Sequence, residues 1–254
     1  MKTIISYDMN YMKKTSKFTV LGVLGIFLAG LSALTARYLN VIIEYALGQD
    51  GIDIVMPEPT VKDSYIQFFS NFNQIFLLVL LFIGVLFFIQ DKTQGHYPLI
   101  FTKPIVREHY IFSKVIVVMA TLIITYIVSI LFFGYYTFFL FDSFDTLDFL
   151  VASLAYISLS TLILMLGLLT SVLFKSYFGA VMLPLVIFIF MGMLSFLNQG
   201  IFKYFPHQLT VYSIAYLEGD INLNTLLVSS FIGLLIATIF LYLALRLFKK
   251  VSLT

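Results

Sequence analysis

The sequence contains no cysteine and no tryptophan, and it has little charge. Without cysteine there is no disulfide, no thiolate metal site and no thiol nucleophile. Without tryptophan, any aromatic belt at a membrane boundary must be built from the 16 Tyr. Only 11% of the 254 residues are charged and 61% are hydrophobic, whereas soluble domains run at about 25% and roughly 45–50%. With a mean hydropathy of +1.02, the chain cannot cover itself with polar surface. A disordered chain, a nucleic-acid-binding domain and an ordinary soluble enzyme are excluded. Strand-like alternation is also absent, which leaves an all-α integral membrane protein.

Six apolar stretches are each long enough, or nearly so, to cross a hydrocarbon core of about 30 Å as a helix. They are Phe18–Leu39, Ile75–Ile89, Val115–Phe141, Phe149–Phe174, Phe178–Leu197 and Leu226–Phe248. With both termini inside, all Lys and Arg except Arg37, Lys62 and Lys203 fall on the inner side. Of the acids, only Asp8, Asp91 and Glu108 do. The rule that cytoplasmic loops carry the excess cations selects this N-in, C-in arrangement. Residues 1–17 carry lysines and place Ile5, Met9 and Met12 on one helical face, which predicts a helix lying on the inner leaflet. The apolar run that follows is too long for a signal peptide. No internal repeat or linker divides the chain, so residues 1–254 read as one domain, with the six-span bundle over 18–248.

No ionisable residue lies near the middle of any predicted span. Proton-coupled carriers and intramembrane enzymes need a titratable group at that depth. His96, His109 and His207 show no metal-ligand spacing, and no phosphate-binding GxxxxGK[ST] run occurs. This chain is therefore not itself an ATPase and binds no cofactor of its own. Asp142, Asp145 and Asp148 read as a turn, with Asp145 or Thr146 capping the fourth span and Asp148 in its first turn. Gly22, Gly25, Ala29, Ala33 and Ala36 form a small-residue stripe that lets another helix approach closely, in this chain or in a second copy. Pro184 interrupts the fifth span and is a candidate kink for a moving part.

The segment Gln90–Lys114 reads QDKTQGHYPLIFTKPIVREHYIFSK. Joining two antiparallel helices needs only a few residues. The apolar Leu99, Ile100, Phe101, Ile105 and Val106 between Gly95, Pro98 and Pro104 instead predict short helices that dock on something cytoplasmic.

Here the chain resembles the permease subunits of type-2-class ATP-binding-cassette exporters. Their inner loop has an acid, a Gly, an apolar stretch, Pro-apolar-apolar-Arg, and a Lys opening the next span. Asp91, Gly95, Leu99-Ile100, Pro104-Ile105-Val106-Arg107 and Lys114 stand in that order, with Asp91 where Glu is commoner in the family. The resemblance implies an N-terminal elbow helix, six spans, a cytoplasmic coupling loop over 90–114, and a partly re-entrant region between the last two spans. Residues Asn198–Thr225 fill that last place and carry more apolar residues than a solvated loop needs.

By the same resemblance, the loop docks in a groove of a separate ATPase, which holds ATP and Mg. Arg107 and Glu108 are its polar contacts, and the permease pairs with a copy of itself or a related subunit through its first and fifth spans. The Gly22–Ala36 stripe suits that pairing. The implied function is ATP-driven export across a bacterial plasma membrane. The Phe- and Met-rich composition suits amphipathic or hydrophobic cargo, such as an antimicrobial or cytolytic peptide, a drug or a lipid. The alternative is a non-transporting polytopic scaffold or sensor, whose inner loop would tolerate substitution.

Overall fold

The computed structural model describes residues 2–47, 58–102 and 105–250. Among these, all regular structure is helical. The order is α1 (Lys2–Lys14), α2 (Lys17–Arg37), α3 (Leu39–Leu47), α4 (Val61–Asn71), a π-helical turn (Phe72–Phe76), α5 (Leu77–Thr93), α6 (Tyr97–Phe101) and α7 (Arg107–Phe141). Next come α8 (Thr146–Leu173) and α9 (Tyr177–Met193). Three 3-10 turns follow (Leu194–Phe196, Gly200–Tyr204, Pro206–Gln208), then α10 (Leu209–Glu218) and α11 (Leu223–Phe248). Six helices are long and apolar enough to cross a membrane: α2, the continuous Val61–Thr93, α7, α8, Tyr177–Phe196 and α11.

Two boundaries differ from the sequence expectation. The second span begins at Val61, not Ile75. Lys62, Asp63, Gln67, Ser70 and Asn71 interrupt the apolar run, but Tyr65, Phe68, Phe69, Phe72 and Phe76 repeat at helical spacing and are fully buried. The start is fixed by a capping box, in which Asp63 Oδ2 accepts from the Thr60 N–H at 2.7 Å. The third span begins at Arg107, not Val115. Residues 90–114 are therefore not one loop. α5 runs to Thr93, α7 opens at Arg107, and the connection is residues 94–106.

The aromatic face of the second span fills the bundle. Phe68 stacks on Phe72 at 4.1 Å, Phe72 on Phe76 at 4.8 Å, and Tyr126 of α7 on Tyr156 of α8 at 4.9 Å. α8 is capped as expected: Asp145 Oδ1 accepts from the Leu147 and Asp148 N–H groups at 3.1 and 3.3 Å. After α9 the chain folds back onto the bundle. α10 buries Leu209, Tyr212, Ser213 and Leu217 against α8 and α4, and Ser213 donates to the Ala152 carbonyl at 3.0 Å.

The small-residue stripe packs inside this chain. Gly25, Ala29, Ala33 and Ala36 are buried where α2 meets α4 and α7, while Gly22 has nothing within 4 Å of a Cβ position. A Cβ on Gly25 would overlap the Ser129 hydroxyl and lie 3.2 Å from Phe76. Four of the five stripe residues are thus closed to a second copy. The side of α2 left open carries Val20, Val23, Phe27, Leu31 and Leu34.

Candidate functional site

α1, the end of α5, the 94–106 connection, the start of α7 and the end of α11 meet at the lysine-rich end of the bundle. Lys114, on the second turn of α7, is fully buried, and its Nζ lies 2.8 Å from Asp91 Oδ2 near the end of α5. It also donates to the Phe87 carbonyl at 3.1 Å and sits over the Phe87 and Tyr110 rings, at 4.3 and 5.2 Å. The Tyr110 hydroxyl donates to the same Asp91 oxygen at 2.5 Å. A buried ammonium loses several kcal/mol of hydration. Here a carboxylate, a carbonyl and two ring faces replace the water.

α1 joins this cluster through Asp8, which is 4% exposed and accepts from the Ser113 hydroxyl at 2.6 Å. Burial pushes the Asp8 carboxyl above its ordinary range, with Lys114 and the Ser113 bond opposing the shift. Lys17, at the head of α2, donates to Gln90 Oε1 at 3.0 Å. Asp8 and Asp91 are two of the three acids placed by sequence at this end, and both are drawn inward.

Gly95 ends α5. At φ +68° it adopts the left-handed conformation. The His96 N–H returns to the Asp91 carbonyl at 2.8 Å, and the Gly95 N–H to the Lys92 carbonyl at 3.3 Å. This double bond pattern is a Schellman stop, which favours glycine because a Cβ would strain the left-handed residue. The stop turns the chain into α6, where Pro98 stands in the first turn, Tyr97 is buried and Leu99 is 69% exposed. Lys103 and Pro104 lie outside the described residues.

Arg107 and Glu108 turn towards the end of α11. Arg107 Nη1 donates to the Lys249 carbonyl at 2.8 Å and the Phe248 carbonyl at 3.4 Å, and Glu108 pairs with Lys249. Both make contacts within the chain, and the Glu108–Lys249 pair stays open to solvent, with 41% and 58% of the side chains exposed. The Phe248 ring lies 5.7 Å from Tyr97, 6.0 Å from Phe101 and 5.7 Å from Tyr110, the last in a stacked arrangement. At the other end of the connection, Lys92 Nζ reaches the last carbonyls of α8.

Between α1 and the connection lies a groove of about 700 Å³. Asp8 and Asp91 are among its polar lining, and Tyr7, Leu99, Ile100 and Val106 among its apolar lining. Tyr7, Leu99 and Val106 are largely exposed. The arrangement is a ledge with apolar side chains and a carboxylate-bearing floor, in which Asp91 pairs with the buried Lys114 beneath it.

Asp91, Gly95, Leu99, Arg107, Glu108 and Lys114 are thus brought together, while Pro184 lies buried within α9, away from the cluster. Asp8, Lys92, Tyr110, Ser113 and Phe248 were missed by sequence reasoning. The available signal was the rarity of acid at this end, which made Asp8 conspicuous among its lysines.

Comparison with protein-family models, curated proteins and solved structures found no match. The six apolar helices make the chain a multi-pass membrane protein.

Proposed function

We propose that the chain is the membrane-spanning subunit of an ATP-driven exporter of the ATP-binding-cassette kind. In this reading both termini face the cytoplasm of a bacterial cell, and α1 lies as an elbow along the inner leaflet. The 94–106 connection with its short α6 is the coupling element for a separate ATPase that holds ATP and Mg. The observation that carries the reading is the ledge. Tyr7, Leu99 and Val106 form a group of exposed apolar side chains along one open groove at the lysine-rich end. A contiguous apolar group of this kind suits a docking partner. The ordered residues Asp91, Gly95, Leu99, Arg107 and Lys114 add the family resemblance.

The cargo path in this reading runs between two copies, because aromatic side chains fill the interior of one. The fifth span suits the wall of such a path. Only 17% of it is buried within the chain, and Phe178, Val186, Ile189, Phe190 and Met193 point outward. A wall of this kind favours amphipathic or hydrophobic cargo such as a membrane-active peptide, a drug or a lipid. The region between α9 and α11 takes the re-entrant place.

The test is purification of the tagged chain together with the ATPase encoded beside its gene, compared with Leu99→Asp. Leu99 is exposed, so the substitution leaves the bundle intact. The expected result is an ATPase that co-purifies with the wild type and falls about tenfold in the variant, as for loss of an interface anchor. If no ATPase comes down with either form, the reading fails and the scaffold or sensor alternative takes its place.

A further inference from the structure

Two cations at the edges of the connection end on the last carbonyls of helices distant from them in sequence. Lys92 Nζ donates to the carbonyls of Ser171 at 3.3 Å, Val172 at 2.7 Å and Phe174 at 2.6 Å, where α8 ends. Arg107 Nη1 donates to those of Lys249 at 2.8 Å and Phe248 at 3.4 Å, where α11 ends. The final carbonyls of a helix have no partner within it and carry the negative end of its dipole. Each cation is therefore held by charge and by hydrogen bonds together.

The two helices held in this way also belong together. α8 and α11 form the most extensively packed helix pair among the described residues, and the Ser158 hydroxyl donates across it to the Ser230 carbonyl at 2.8 Å. On the connection itself, Tyr97 and Phe101 close on the ring of Phe248. The connection is thus fastened at its start to the end of the fourth span and at its finish to the end of the sixth.

We infer that Lys92 and Arg107 are positioning residues that join the 94–106 connection to α8 and α11 as one body, so that displacement of the connection is delivered to the fourth and sixth spans. The mechanical coupling stands on the contacts above. That an ATPase supplies the displacement rests on the proposed function.

The wild-type chain has no cysteine, so introduced cysteines take spin labels without background. In the chain alone, in lipid nanodiscs, labels at Leu99→Cys and Lys175→Cys report the first fastening, and labels at Leu99→Cys and Lys250→Cys the second. Narrow distance distributions are expected. Lys92→Met broadens the first by about twofold and Arg107→Met the second, while Lys92→Arg keeps the first narrow. A role in stability alone would lower the melting temperature without broadening the distance at an intact fold. Unchanged distributions in both methionine variants overturn the inference, whatever an ATPase does.

In the complex with the co-purified ATPase, ATP with vanadate is expected to shift the distance between labels at Lys62→Cys and Asn224→Cys. The shift is lost in Lys92→Met, with hydrolysis retained, and kept in Lys92→Arg. A methionine variant that keeps the shift overturns the transmission role. Absence of any ATPase from the wild-type preparation counts against the exporter reading, and the first arm still decides the fastening.

Discussion

The Thr170 hydroxyl donates to the carbonyl oxygen of Ala180 at 2.7 Å. Ala180 stands four residues before Pro184, so its carbonyl is the one that proline leaves without a helical donor. In a membrane no water is at hand to replace that bond, and a neighbouring hydroxyl is one of the few substitutes. Pro184 is therefore held from α8. The bond ties the expected kink position at Pro184 to the fourth span.

Thr170→Val should remove about 1–3 kcal/mol of stability, because it leaves a buried carbonyl unpaired. Adding Pro184→Ala restores a backbone donor and should recover a large part of the loss. Unfolding in mixed micelles measures both. Equal losses in the single and double variants would show that the carbonyl finds another partner.

The Asp91–Lys114 pair predicts a strong asymmetry. Lys114→Met alone strands a part-buried carboxylate that keeps only the Tyr110 hydroxyl, and the double variant with Asp91→Leu should be clearly more stable than the single. A double-mutant cycle on thermal midpoints separates this from loss of packing.

Asp8 gives a pH dependence with a definite sign. The folded chain holds its proton more tightly than the unfolded chain, because burial raises the carboxyl above its ordinary value. Stability contributed by the protonated form is present in acid. It is lost as pH rises from the ordinary carboxylate value through the raised one. Asp8→Asn removes that loss, so its midpoint relative to wild type should rise as pH climbs above the ordinary carboxylate value of about 4. A parallel pair of pH curves would refute the assignment.

Gly25 and Gly22 stand one turn apart on α2 and should behave oppositely. Gly25→Val pushes α2 off Ser129 and Phe76 and should cost about 1–3 kcal/mol. A Cβ at Gly22 meets nothing within 4 Å, and Gly22→Val should stay within about 0.5 kcal/mol. If only Gly22→Val disturbs the protein in membranes, that stretch of the helix faces another copy.

The six spans were legible because apolar runs of that length have few other homes. The lower half of the second span was hidden, because its buried rings share the sequence with Lys62, Asp63 and Asn71, and only a helical projection separates the two faces. Asp91, Gly95 and Lys114 were visible as an ordered set at the mouth of a span, and the stop at Gly95 gives that glycine a backbone reason. The bonds from Asp8 to Ser113 and from Lys92 to the end of α8 were out of reach. Each joins residues far apart in the chain, and nothing local marks them. Four residues of the small-residue stripe pack within the chain and Gly22 does not, a division that depends on where α7 lies.

In the proposed orientation, Lys92, Arg107 and Lys114 act at two different times. While the chain enters the bilayer they are exposed cations that keep one end from crossing. Once it has folded, the same three charges are withdrawn into a carboxylate pair and two helix ends. In that orientation eleven other inner cations remain when any one of the three is neutralised, so a single methionine substitution keeps the insertion signal and reports on the folded contacts, and exchange of Lys for Arg changes only the fit.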